Sequence, residues 1–297
     1  MKVLLTGSTG LLGEHIIENL SGCKILATYH HIKPRIKTKN VIYHKLDLAN
    51  KKGIYDLIKR NRPEVIIHTA SIGNVDYCET HKKEARQINC VATKNLFLAG
   101  KKINAKFVFF STNAIFDGEN PPYNEDSATN PLDYYGKTKL ETEKFLLDQG
   151  GNTLIIRLMT MYGWNNPAER NNPVTWIINM LKNGKKIKVV NDIFNNYLYV
   201  EDAIEVVWRL LIKSKQGIYN VAGSETINRF ELAKKIAKLF KLPKELIEPV
   251  TSSYFPQLAP RPKDSSFDIR KIIKETGYMP KNVEEGLLTM KSKYRYG

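Results

Sequence analysis

The opening of the chain constrains it most. A short apolar run, KVLLT (2–6), leads directly into Gly7-Ser8-Thr9-Gly10-Leu11-Leu12-Gly13. Residues 10–20 then place Leu12, Ile16, Ile17 and Leu20 on one side of a helix. Glycines spaced G-x-x-G-x-x-G between a strand and a helix let backbone N–H groups approach a pyrophosphate, and the helix N-terminus adds partial positive charge. The turn therefore predicts dinucleotide binding at Gly7, Thr9, Gly10, Leu11, Leu12 and Gly13.

The same alternation continues. KILATY (24–29), VIYHKLDL (41–48), VIIHTA (65–70) and KFVFFST (106–112) read as strands, with helices at 51–60 and 80–100 between them. Near-continuous apolar runs mark strands buried on both faces of a parallel sheet. Strand–helix alternation at this spacing implies right-handed βαβ units. Beyond residue 112 come a loop rich in Pro, Asn and Asp (117–133), a helix at about 134–149 and the strand TLIIRL (153–158). Helices at about 173–183, 201–213 and 228–240 and a proline-rich loop (256–262) follow. The expected fold is α/β: a Rossmann-like doubly wound parallel sheet with a smaller C-terminal α/β substrate-binding part. Residues 1–160 plus about 190–215 form the dinucleotide domain, and about 161–189 and 216–297 the cap.

Composition narrows the function. Lys and Arg number 46 against 30 Asp and Glu, a formal charge of +16 in 297 residues. Nucleic-acid binders cluster such charge on one face. Here Lys101-Lys102, Lys185-Lys186 and Lys234-Lys235 scatter it, which favours small anionic ligands over nucleic acid. No apolar run approaches the ~20 residues of a membrane span, and the N-terminal apolar stretch is too short for a signal peptide. Cys23, Cys78 and Cys90 match no metal or disulfide spacing, and the six histidines form no H-E-x-x-H. A cytoplasmic protein without a metal site is expected.

An acidic residue after the second strand commonly holds the ribose of NAD. Here that strand ends Tyr29-His30-His31 and continues with Lys33, Arg35 and Lys37. A basic loop with no carboxylate suits a 2′-phosphate, so His30 and Arg35 favour NADP(H) over NAD(H). Asp47 and Leu48 are placed at the adenine, and Ala70 and Ser71 beside the cofactor ribose.

Tyr135 and Lys139 stand at i and i+4 on a helix, sharing one face. An ammonium there is expected to lower the phenol's pKa toward neutrality and make Tyr135 a proton donor and acceptor. Ser111 and Thr112 end an apolar strand, where open α/β sheets place their ligands. GSTGLLG, FFSTNAIFDG, PPYNED, NPLDYYGKTKLETE, RLMTMYG, YVEDA and GIYNVAGSETINRFELAKKIA follow in order through nearly the whole chain. In this the sequence resembles the extended short-chain dehydrogenases/reductases, and most closely their dTDP-4-dehydrorhamnose reductase branch.

The resemblance implies a reductase of a 4-keto nucleotide sugar. Thr112 would hydrogen-bond the substrate carbonyl, and Tyr135 would protonate its oxygen as hydride arrives from the nicotinamide. Lys139 would bind the nicotinamide ribose and tune Tyr135. The strand end reads Thr112-Asn113-Ala114, without the Thr-Asp-Glu of the family's dehydratases, and Asn113 stands where the rhamnose reductases have Asp. Thr160 replaces their sugar-contacting Trp, and 192–198 departs from their D-Q-x-G-x-P-T, so the particular sugar stays open. The superfamily also contains UDP-hexose 4-epimerases, which usually hold NAD through an acid after the second strand that is missing here, and the branch contains non-catalytic NADP-binding regulatory subunits such as the beta subunit of methionine adenosyltransferase. Asn113, Tyr162, Asn196 and Arg261 are the expected substrate contacts, Arg261 at the diphosphate. Trp164, Trp176 and Trp208 are expected to serve core or cap packing, His68 to be a hydrogen-bonded core group and Cys90 to be buried. A monomer or homodimer fits the resemblance.

Overall fold

The computed structural model describes residues 1–256 and 258–293. Seven parallel strands form the main sheet: β1 (Lys2–Thr6), β2 (Lys24–Tyr29), β3 (Val41–Lys45), β4 (Val65–His68), β5 (Lys106–Thr112), β6 (Thr153–Leu158) and β11 (Gly217–Val221). Their order is β11-β6-β5-β4-β1-β2-β3. The order reverses between β1 and β4, and a crevice at the carboxyl ends of the strands opens at such a switch point.

Burial follows the apolar runs. Every residue of β4, β5 and β6 is buried. One face packs on α1 (Leu11–Asn19), the other on α2 (Lys51–Asn61), α5 (Thr93–Lys101) and α6 (Tyr134–Gln149). Side chains such as Phe107, Phe109, Leu4 and Ile66 are fully enclosed, each contributing about 1.5–3 kcal/mol. β3 departs from the expected burial on both faces. It is an edge strand, with Ile42 71% exposed, and it ends at Lys45.

The helix expected over 80–100 is present from Lys82 to Lys101, with a π-helical segment inside it and a short helix ahead of it. α3 (Val75–Thr80) and α4 (Lys82–Arg86) are separated at His81, whose φ of −121° leaves the helix. A π-helical segment (Gln87–Ala92) then runs into α5. Its widened turn frees the Asn89 carbonyl, which accepts from the hydroxyls of Thr93 at 2.9 Å and Thr142 at 3.2 Å.

After β6 the chain makes β7 (Met161–Tyr162), α7 (Pro173–Lys182), β8 (Ile187–Val190), β9 (Phe194–Asn195), β10 (Leu198–Tyr199) and α8 (Val200–Ile212). α8 packs on α1. The next strand, β11, joins the main sheet beside β6, so the chain returns to the sheet beyond the 190–215 expected for it. β12 (Ile227–Asn228), α9 (Arg229–Phe240), β13 (Ile247–Val250), α10 (Arg270–Thr276) and α11 (Val283–Ser292) follow. β8 pairs with β13, β7 with β10 and β9 with β12, and α9 packs on α7 and α11. No helix among the described residues is long and apolar enough to cross a membrane. None of them forms a metal-holding group of His, Cys, Asp or Glu.

Candidate active site

The glycine turn is built for close approach. Gly7 has φ +70°, and a Cβ there would lie 2.7 Å from the Ala70 nitrogen. At Gly13 a Cβ would lie 2.1 Å from the Gly7 oxygen, so α1 can sit tightly against the turn. Gly10 is the N-cap and no side chain caps α1. Backbone donors therefore remain available at the helix N-terminus, where an anion is stabilised. Ser8 adds a buried hydroxyl with no protein partner. This donor set, with its glycine cradle, fits a dinucleotide pyrophosphate.

Other predicted cofactor residues ring the same end of the sheet. His30 and His31 are exposed, their ring centroids 3.7 Å apart. Asp47 is exposed and accepts from the Ala49 N–H at 2.8 Å, while Leu48 is buried. The loop bearing Ala70 and Ser71 is tied down by Thr69, which donates to the Thr6 carbonyl at 2.6 Å. Asn89 clamps its far end, accepting from Ile72 N–H at 2.8 Å and donating to the Ile72 carbonyl at 3.1 Å.

Arg35 holds a surprise. Its Nε and Nη2 donate to Glu14 at 3.0 and 2.7 Å. Glu14 is 3% exposed and also accepts from Asn166 Nδ2 at 3.1 Å. The carboxylate missing after β2 thus arrives from α1. No local signal in the sequence links residues 14 and 35.

The residues expected to be catalytic converge at the end of β5 and the start of α6. Asp133 caps α6, accepting from the Gly136 N–H at 2.7 Å. A Cβ at Gly136 would meet the Ala114 oxygen at 2.2 Å, so the helix start presses against the turn that follows Thr112. Thr112 Oγ1 accepts from the Ala114 N–H at 3.2 Å, and the Thr112 and Ser71 hydroxyls stand near enough to Tyr135 to favour its phenolate. Lys139 Nζ donates to the Phe110 carbonyl at 2.9 Å and lies 5.8 Å from the Tyr135 ring centroid. Burial brings Lys139 down to about 8.

Tyr135 does not behave as the Lys139 neighbour predicted. Burial raises its pKa, and the Thr112 and Ser71 hydroxyls only partly offset this. The phenol keeps its proton at neutral pH, as a general acid must. Asn113 donates through Nδ2 to Ser265 Oγ at 2.7 Å, which links β5 to the loop near residue 265.

Two expected substrate contacts lie elsewhere. Tyr162 is 1% exposed, and its hydroxyl fills the space beside Gly286, where a Cβ would come within 1.9 Å of it. It is a core residue. Asn196 is 4% exposed and spends both amide atoms on the Phe267 backbone, at 2.9 and 3.1 Å. Arg261 is partly exposed and pairs with Asp76. His68 is an interior group as expected, between the hydroxyls of Thr6 at 2.6 Å and Thr93 at 2.8 Å. Cys90 is buried, Trp208 is half-buried against the core, and Trp164 donates to the Met290 carbonyl, but Trp176 sits at the surface, 36% exposed. The pairing partners Glu14, Asn89 and Asp76 went unread in the sequence. Each works through a residue distant in the chain.

The strand order, the glycine turn and the Thr112–Tyr135–Lys139 set define an extended short-chain dehydrogenase/reductase, a class of NAD(P)-dependent oxidoreductases. Residues 1–296 match the family described as the RmlD substrate binding domain, and the chain belongs to that family. It is 30% identical over 286 residues to methionine adenosyltransferase 2 subunit beta of Xenopus tropicalis, covering 92% of this chain and 82% of that one. It is 26% identical to dTDP-4-dehydrorhamnose reductase of Aggregatibacter actinomycetemcomitans, covering 98% of each. The structure of dTDP-4-dehydrorhamnose reductase from Bacillus anthracis in complex with NADP superposes with a TM-score of 0.87 at 27% identity, covering 99% of both chains.

Proposed function

We propose that the protein reduces the 4-keto group of a nucleotide sugar with NADPH. The observation that carries this reading is the meeting of Thr112, Tyr135 and Lys139 at the carboxyl ends of the strands, beside a glycine turn open to a pyrophosphate. The dinucleotide supplies the hydride. Thr112 donates a hydrogen bond to the carbonyl oxygen, and Tyr135, protonated at rest, delivers its proton there as negative charge develops. Lys139, fixed by the Phe110 carbonyl, holds the ribose and compensates charge on the phenolate left behind. The basic run His30 to Lys37 supports NADPH over NADH, with Arg35 shared between Glu14 and the 2′-phosphate. Asn113 faces the sugar and Arg261 the diphosphate. The three free, buried cysteines accord with a reducing, cytoplasmic setting. The test is loss of NADPH absorbance on adding 4-keto dTDP-, UDP-, GDP- or CDP-sugars. No turnover across the panel overturns the reading.

A second reading is favoured by the relatives named methionine adenosyltransferase 2 subunit beta, one of them 30% identical over 286 residues. In it the chain binds NADP and serves as a regulatory subunit. Tight association with another enzyme, together with no turnover, selects it.

A further inference from the structure

Asn113 follows Thr112 directly and opens a short turn, Asn113–Ile115. The backbone of this turn is fixed by α6, since Gly136 presses on the Ala114 carbonyl. The half-buried Asn113 side chain is fixed from elsewhere. Its Nδ2 donates to Ser265 Oγ at 2.7 Å, across 152 residues of chain. The Ser265 hydroxyl keeps its own proton for Asn195 Oδ1 of β9, at 3.4 Å. Asn113 Oδ1 lies 3.4 Å from Thr112 Oγ1. A serine that donates to Asn195 is left with its lone pairs for Asn113, which sets the sense of the amide. The nitrogen turns to the cap and the oxygen to Thr112.

Ser265 owes its place to backbone hydrogen bonds. It lies ahead of α10 and is buried, as is Asn195. The Tyr123 N–H donates to the Ser266 carbonyl at 2.8 Å, and the Asp268 N–H donates to the Tyr123 carbonyl at 2.8 Å. The Phe194 N–H donates to the Lys263 carbonyl at 2.7 Å. Residues 263–268 are thus stitched to the loop that follows β5 and to β9. A hydroxyl on so fixed a segment cannot follow a swinging amide. The last torsion of an asparagine is broad when nothing holds it, so Ser265 selects one orientation of Asn113.

We propose that Ser265 is a positioning residue of the reducing site: its hydroxyl, backed by Asn195, sets the Asn113 amide that faces the sugar beside Thr112. This rests on the reading of that site as a 4-keto sugar reductase. Ser265 acts through Asn113 rather than on the substrate. Without its hydroxyl the Asn113 Nδ2 loses an acceptor, and the amide is free to turn next to the group that meets the substrate carbonyl. Misorientation at that point lowers the rate.

The test is a kinetic double-mutant cycle of Ser265→Ala and Asn113→Ala, on whichever 4-keto dTDP-, UDP-, GDP- or CDP-sugar the wild type reduces. Ser265→Ala is expected to lower kcat by about tenfold, the weight of one hydrogen bond. In the Asn113→Ala background the same replacement is expected to change kcat by less than about twofold, because the group it positions is gone. NADPH affinity, followed by fluorescence, stays at the wild-type value throughout. A serine that merely fastened its loop would cost the same factor in both backgrounds. Equal factors, or no effect of Ser265→Ala on the wild type, overturn the proposal. Should Ser265→Ala fail to fold, Ser265→Cys fills the position with a weak acceptor, and the same pair of factors decides. A wild type that reduces no sugar of the panel defeats the reductase reading and the proposal with it. A wild type that turns over, with equal factors in the two backgrounds, defeats the positioning role alone.

Discussion

Arg261 Nη2 donates to Asp76 Oδ2 at 2.7 Å and closes a contact across 185 residues of chain. The Ala259 N–H reaches the other Asp76 oxygen at 3.3 Å, so the proline-rich loop is strapped to the first turn of α3. Arg261 holds the Asp76 carboxyl below the usual carboxylate range. Both side chains are more than a third exposed, 36% and 39%. Solvent screening then limits the pair to about 0–1 kcal/mol.

Replacing Arg261 by Ala should therefore barely move the melting temperature. If Arg261 meets the substrate diphosphate, its loss should raise KM for the nucleotide sugar by about tenfold, the weight of one charge-assisted hydrogen bond. NADPH affinity should not change. Steady-state kinetics and a fluorescence titration of NADPH check this together. An unchanged KM removes Arg261 from the site.

Tyr135→Phe deletes only the phenol oxygen. The ring still fills its place on α6, so folding and NADPH binding should persist. Turnover should fall by about 10²–10⁴-fold, the usual worth of a positioned proton donor. Turnover near wild type would show that the proton comes from elsewhere.

Interior charge gives a pH effect on stability. His68 sits between Thr6 and Thr93, and burial brings it down to about 3 from the 6.5 of an exposed histidine. Below 6.5 the unfolded chain gains a proton that the folded chain refuses. Stability therefore falls as pH drops from 6.5 toward 3. By about pH 4.5 this histidine alone should account for roughly 2–3 kcal/mol. Denaturation midpoints of wild type and His68→Gln at neutral pH and near pH 4.5 measure it. The variant, though weaker at neutral pH, should lose less on acidification. Equal losses would show that His68 charges freely in the fold.

Legibility in the sequence followed the range of the forces involved. The strands at 106–112 and 153–158 and the helix from 134 to 149 appear where periodicity and turn residues put them. Their signals are local and long. β11 was harder to read, because GIYNV is short and is sheet only through its pairing with β6. Tyr162 and Asn196 stand in motif-like surroundings, yet Gly286 and Phe267 bury them from far along the chain. Periodicity along one segment cannot report what packs against it. The same holds for Glu14 and Arg35, each unremarkable in its own segment.

Gly136 offers the sharpest test of how the site is assembled. It lies in the first turn of α6, where Ala would ordinarily stabilise a helix by about 1 kcal/mol. Here the new Cβ would stand 2.2 Å from the Ala114 carbonyl oxygen and 3.0 Å from the Pro131 Cβ. Backbone cannot rotate away as a side chain can, so the helix start must lift from the turn that follows Thr112. The overlap should reverse the propensity gain and cost about 1–3 kcal/mol net. Tyr135 is the residue immediately before, and it shifts with the helix. A displacement near 1 Å costs about 10²-fold in rate. Gly136→Ala should thus remain folded at moderate temperature while losing about two orders of magnitude in kcat, with NADPH bound through the distant glycine turn as before. Melting curves, NADPH titration and kcat on one preparation decide it. A variant as stable and as active as wild type would mean that α6 does not rest on the Ala114 turn.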